Sequence, residues 1–169
     1  VKNTTANLAP GTFCGGLDVS TGGTVNLSAG VYVIQTGSLS VKSQSTLNAT
    51  QGTTIVLLDP QATIAVQAGA SLRITAPRDG AWKGIVIAQK PQPTEKTSTL
   101  IGGGELDIDG AVYLPTQKLD ITGGGAVSQN SNRTRTFVVN RINMRGNGEI
   151  LFSGSSDLIA VPPKLVLVN

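Results

Sequence analysis

Glu105, Asp107 and Asp109 occupy alternate positions and are the closest this chain comes to a paired-carboxylate centre. Residues two apart on an extended strand lie about 7 Å from each other, which falls within the range for two carboxyls flanking a glycosidic bond. No cluster of aromatic platforms accompanies them, and the basic residues a uronate lyase needs are not on the matching face. The same acids offer oxygen ligands to calcium, which takes about six to eight, but no Gly-Gly-x-Gly-x-Asp repeat recurs. They read as a solvated acidic strand, and no metal or cofactor is expected. The chain has no histidine, which removes imidazole general bases, histidine-ligated metals and Ser-His-Asp triads together. Gly102-Gly103-Gly104 and Gly123-Gly124-Gly125 read as corners rather than phosphate loops, because neither opens a helix and no Lys-Ser/Thr follows.

Two further features carry chemistry. The single tryptophan, Trp82, lies beside Arg78, Asp79 and Lys83, and an aromatic ring among charged groups is a candidate ligand loop for a sugar or a base. The alternative is a ring folded over a strand edge as an anchor. Cys14 is the single cysteine, so it is a free thiol, an intermolecular link, or half of a pair whose partner is absent. Asn-x-Ser/Thr triplets begin at Asn3, Asn26, Asn48 and Asn132, as expected by chance in a chain so rich in these residues.

The elements that must position these residues follow from composition and period. The chain has 169 residues, enough for one domain, with 21 Gly, 8 Pro, 14% charged and 4% aromatic residues. That is the composition of many short strands and turns. Triplets alternating apolar and polar residues recur: Leu17-Asp18-Val19, Val25-Asn26-Leu27, Val31-Tyr32-Val33, then Leu39-Ser40-Val41, Leu47-Asn48-Ala49, Ile55-Val56-Leu57. Leu17 and Leu39 are 22 residues apart, as are Val25 and Leu47, while Val31 and Ile55 are 24 apart. The rhythm continues through Ile64-Ala65-Val66, Leu72-Arg73-Ile74 and Ile85-Val86-Ile87, and then through Thr99-Leu100-Ile101, Leu106-Asp107-Ile108 and Val112-Tyr113-Leu114. It closes with Leu119-Asp120-Ile121, Ala126-Val127-Ser128, Phe137-Val138-Val139, Ile142-Asn143-Met144, Ile150-Leu151-Phe152 and Leu158-Ile159-Ala160. Three strands per repeat of this length predict an all-β, single-domain, right-handed parallel β-helix of about six coils. The domain spans 1–169, with 1–12 and 162–169 as candidate terminal caps. Departures from the rhythm at 76–83 and 89–96 flank one strand and should emerge at its two ends.

The stretch Leu8-Ala9-Pro10-Gly11-Thr12-Phe13-Cys14-Gly15-Gly16-Leu17-Asp18-Val19, followed by Val25-Asn26-Leu27-Ser28-Ala29-Gly30-Val31-Tyr32-Val33-Ile34, resembles the C-terminal region of the TadG-like proteins of tight-adherence (Flp) pilus systems. The step Gly110-Ala111-Val112-Tyr113-Leu114-Pro115 is similar to a later feature of that family, and the likeness runs from about Leu8 to Phe152. Relatives often carry a second cysteine shortly before the strand equivalent to Phe137-Val138-Val139, where Ser131-Asn132-Arg133-Thr134 carries none. The resemblance implies an extracytoplasmic setting, on the bacterial surface, pilus-associated or periplasmic. Membrane attachment is expected only through an N-terminal anchor that this chain lacks.

Outward positions carry the functional information in a solenoid. First strands should show Asp18, Ser40, Ala65, Asp120 and Asn143 outward, and second strands Asn26, Asn48, Arg73, Asp107, Ser128 and Leu151. On the third strands, Tyr32, Val56, Val86, Tyr113 and Val138 are expected to point out, making a sheet apolar on both sides. Such a stripe needs a cover, supplied by the chain's own ends (164–168 or the first twelve residues), a second copy or another protein. Net charge is +3, and although Arg133, Arg135, Arg141 and Arg145 concentrate near one end, no nucleic-acid partner is expected. Taken with the resemblance, which carries most of this reading, the chain is expected to be a non-enzymatic structural or adhesive module of a bacterial surface or pilus system. Its partners would be proteins or further copies, with a surface glycan as a further ligand. The alternatives are a carbohydrate-binding or carbohydrate-cleaving β-helix protein and a self-assembling solenoid fibre subunit.

Overall fold

The computed structural model describes residues 2–102, 106–123 and 135–146. Within them every regular element is a β-strand: β1 Thr5–Leu8, β2 Gly11–Phe13, β3 Leu17–Val19, β4 Thr24–Leu27, β5 Gly30–Ile34, β6 Leu39–Val41, β7 Thr46–Ala49, β8 Thr53–Leu57, β9 Ile64–Val66, β10 Ser71–Thr75, β11 Ile85–Gln89, β12 Lys96–Ile101, β13 Leu106–Thr122 and β14 Arg135–Arg145. All pairings are parallel and join each strand to one a full repeat away: β1-β4-β7-β10-β13 on one face, β2-β5-β8-β11-β13-β14 on the second and β3-β6-β9-β12-β13-β14 on the third. The protein is a parallel β-helix, of about five turns among the described residues. β13 and β14 are long because single strands run through corners that turns interrupt elsewhere. The strands read at Ala126-Val127-Ser128, Ile150-Leu151-Phe152 and Leu158-Ile159-Ala160 lie outside the described residues, as does 162–169. The N-terminal stretch enters the stack itself, through β1 and β2.

Alternation holds because each strand turns one side chain in two towards the axis, and stacking then sets like on like. The inward rows include Val25-Leu47-Leu72-Leu106, Leu27-Ala49-Ile74-Ile108 and Val19-Val41-Val66-Leu100-Ile121, all essentially buried. Outside, Asn7, Asn26 and Asn48 form a ladder, with Asn26 Nδ2 donating to Asn7 Oδ1 at 2.9 Å and Asn48 Nδ2 to Asn26 Oδ1 at 3.5 Å. The first-strand outer row is Asp18-Ser40-Ala65-Thr99-Asp120-Asn143. In β12 the alternation is one residue out from the sequence reading: Leu100 is inward and Ile101 exposed.

That shift puts Ser98 in the core, where it joins Gln89 and Gln117 in a closed polar network. Ser98 Oγ accepts from the Ile64 N–H at 2.9 Å and donates to Gln117 Oε1. Gln117 Nε2 donates to the Ala62 carbonyl at 2.9 Å and to Gln89 Oε1, and Gln89 Nε2 donates to the carbonyls of Asp59 and Ala62 at 3.0 and 3.2 Å. A buried amide left unpaired costs about 1–3 kcal/mol, so the network is stable only because its members satisfy one another. The corner at 59–62 is also clamped from outside, where the Asp59 carboxylate accepts from the Gly37 N–H at 2.9 Å and the Gln61 N–H at 2.8 Å.

Those two N–H groups, Gln61 first and then Gly37, hold the Asp59 carboxyl below its ordinary range. Hydrogen bonds from Arg141 to Glu95 and from Lys118 to Asp120 act in the same direction. A carboxyl with a depressed folded pKa contributes stability above its unfolded pKa, and that contribution is lost as pH falls through the folded value. Asp59→Asn replaces one acceptor with a donor facing an N–H. It should therefore lower the urea midpoint at neutral pH, with wild type and variant converging on acidification; a gap that stays constant with pH would contradict this role.

Candidate functional site

The third-strand face is built in register, with Val33, Val56, Ala88, Tyr113 and Val138 forming one outward row. Tyr113 and Val138 are 39% and 40% exposed, Val33 and Val56 are half-buried, and Ala88 is covered. Val31 also points outward on β5, half-buried, and Leu58, just past β8, is 52% exposed. The apolar outer stripe expected of this sheet therefore exists, but two of its expected members are elsewhere.

Tyr32 is fully buried, the first correction. It shares its inward row with Ile55, which places Val31 and Val33 outside, one residue out of step with the sequence reading. Its register partner in β2 is Gly11, and Phe13 stacks on the ring with centroids 5.8 Å apart. The phenol finds acceptors in the carbonyls of Leu8 at 2.7 Å and Ser28 at 3.1 Å. Burial raises its pKa above the ordinary tyrosine value, with the hydrogen bonding to Ser28 opposing.

Val86 is the second correction, also fully buried. Ile85 pairs with Ala111 and Ile87 with Val112, so Val86 is the extra residue of a bulge and its side chain turns inward. Gly110 makes the space: a Cβ there would stand 2.9 Å from Val86 Cγ1 and 2.7 Å from the Ala76 Cβ.

The first twelve residues do not cover this face, because β1 and β2 extend the stack instead. Residues 164–168, the other candidate cover, lie outside the described residues.

The 76–83 insertion forms a built feature at the corner between second and third strands. The turn is pinned by main-chain bonds from Lys83 N to Gly80 O at 3.2 Å, Gly84 N to Pro77 O at 2.9 Å and Ile85 N to Trp82 O at 3.0 Å. Three successive corners meet there, and 29–31, 50–52 and 75–82 line an open cleft of about 640 Å³. Trp82 is half-buried and lines the cleft with Arg78 and Asp79, both exposed. Lys83 is exposed on the same turn but does not line it. The second insertion leaves the far end of β11, where Gln92 N donates to Thr116 Oγ1 at 2.9 Å and Glu95 pairs with Arg141.

The acidic strand is not the solvated one the sequence suggests. Asp107 is 7% exposed and stands opposite Arg73 in the register, while Asp109 is half-buried opposite Thr75. Glu105 lies outside the described residues. Among the described residues, no group of three His, Cys, Asp or Glu side chains is placed to hold a metal ion. Cys14 is exposed, with Sγ 3.5 Å from Gln35 Oε1 on the next coil. Of the four arginines near one end, Arg141 is bonded to Glu95 and Arg145 is exposed; Arg133 lies outside the described residues.

Comparison with protein-family models, curated proteins and solved structures returns no match.

The placement of the two tyrosines separates their roles. Tyr32→Phe removes the phenol's hydrogen bonding to the carbonyls of Leu8 and Ser28 and should cost about 1 kcal/mol, read as a lowered denaturation midpoint. Tyr113→Phe should leave the midpoint within about 0.5 kcal/mol of wild type. Equal effects would contradict the assigned orientation.

Proposed function

We propose that this chain is a non-enzymatic structural or adhesive module of a bacterial surface system, assembling through its third-strand face. The observation that carries the reading is the outer row Val33-Val56-Ala88-Tyr113-Val138, apolar over five successive coils and exposed towards Tyr113 and Val138. A flat sheet whose outer surface is Val and Tyr gains by burial against another surface, at roughly 25 cal/mol per Å² of apolar area. The resemblance of residues 8–34 to TadG-like proteins supports a pilus-associated, extracytoplasmic setting. The non-catalytic part of the reading is supported by the carboxylates: hydrolysis of a glycosidic bond needs two facing each other across a groove, and among the described residues Asp79 is the one acid lining the cleft.

Sedimentation across a concentration range tests the assembly. The informative variant is Tyr113→Asp with Val138→Asp, since Tyr32→Asp and Val86→Asp would place charge in the core. Wild type should associate with rising concentration, and the double variant, still folded by circular dichroism, should remain monomeric. A wild type that stays monomeric throughout, or a double variant that associates equally well, would contradict assembly of copies through this face.

A further inference from the structure

We infer that the cleft beneath Trp82 is a saccharide-binding site. Its walls come from three consecutive coils, so it runs along the solenoid axis; two steps of the strand spacing span roughly 10 Å, about the length of a disaccharide. An indole ring at one edge is paired with hydrogen-bonding groups of both kinds: Arg78 donates, Asp79 accepts, and Thr50, Gln51 and Thr75 do either. An apolar face for a ring and a dense set of donors and acceptors for its hydroxyls match the two surfaces of a pyranose.

The lining argues against other ligand classes. A purely apolar ligand would strand Arg78, Asp79 and Gln51 without partners. A nucleic acid needs positive charge along a groove, yet Arg78 is offset here by Asp79 and the whole chain carries only +3. The turn is also set before any ligand arrives. Its main-chain bonds fix Trp82 between Gly80 and Gly84, both with positive φ (76° and 78°), so little ordering cost falls on binding. This inference gives the adhesive side of the proposed function a ligand, and it does not depend on assembly through the third-strand face.

Trp82 is the chain's single tryptophan, so its emission reports on the cleft without labelling. The full chain is titrated with short cello-, chito-, malto- and manno-oligosaccharides, following emission and, in parallel, heat of binding. At least one series should shift the emission saturably. Trp82→Ala and Arg78→Ala, read by calorimetry, should each weaken that binding about tenfold or more with the melting transition unchanged. If Trp82→Ala disturbs folding, Arg78→Ala and Asp79→Ala, at exposed positions, carry the test. Failure of every series to bind, or binding indifferent to these substitutions, would overturn the site. Either result leaves the sedimentation behaviour as it was, so the two readings fail separately.

Discussion

Hydrogen bonding between successive coils is the constraint on which everything else in this molecule depends. Each strand pairs with the strand one repeat earlier and one repeat later, so backbone satisfaction forces equivalent positions to lie above one another. A residue that suits the interior on one coil is therefore followed by another at the same place on the next. The rows Val25-Leu47-Leu72-Leu106 and Val19-Val41-Val66-Leu100-Ile121 are the result. Where the rule admits polar residues it admits a set: Ser98, Gln89 and Gln117 enter the core together and consume one another's hydrogen-bonding capacity.

The same constraint sorts the surface. Strands cannot change length freely without breaking the stack, so extra residues leave at corners, and both large insertions flank β11. The Trp82 cleft exists because the 76–83 turn overhangs the corresponding corners of the two preceding coils. The outer faces inherit the row structure as well. One carries a ladder of asparagines, and another carries the Val and Tyr row that distinguishes the third-strand sheet. An interaction surface on such a scaffold is a column of residues one repeat apart in the chain, about 22 to 25 where no insertion intervenes, as Asp18-Ser40-Ala65 illustrates.

How much of this was legible in the sequence depended on which signal was read. The coil order was visible in the spacing of Leu17 and Leu39 or Val25 and Leu47, which the structure pairs directly. The phase within a strand was less secure, because alternation marks a face only when its two sides differ in polarity. Val31-Tyr32-Val33 and Ile85-Val86-Ile87 are apolar at every position: the first has the opposite phase to the one expected, and in the second Ile87 is inward as expected while the bulge turns Val86 inward as well. The missing clue at Val86 is Gly110 one coil away, which leaves room for the larger neighbour. Thr99-Leu100-Ile101 gives no phase for a different reason: the inward partner of Leu100 is Ser98, and a serine is not recognisable as a core residue until the glutamines that bond it are placed beside it. Asp107 was read as solvated because its cross-coil neighbour Arg73 lies 34 residues earlier.

The orientation of the third strands joins the fold to its proposed use, and the chain's two tyrosines allow it to be tested directly. Nitration of the native protein with tetranitromethane, followed by peptide mapping, reads their accessibility. Tyr113, 39% exposed, should be modified while Tyr32, fully buried, is protected until denaturant is added. Modification of Tyr32 at a comparable rate in the folded protein would contradict the register and, with it, the identity of the outer apolar face.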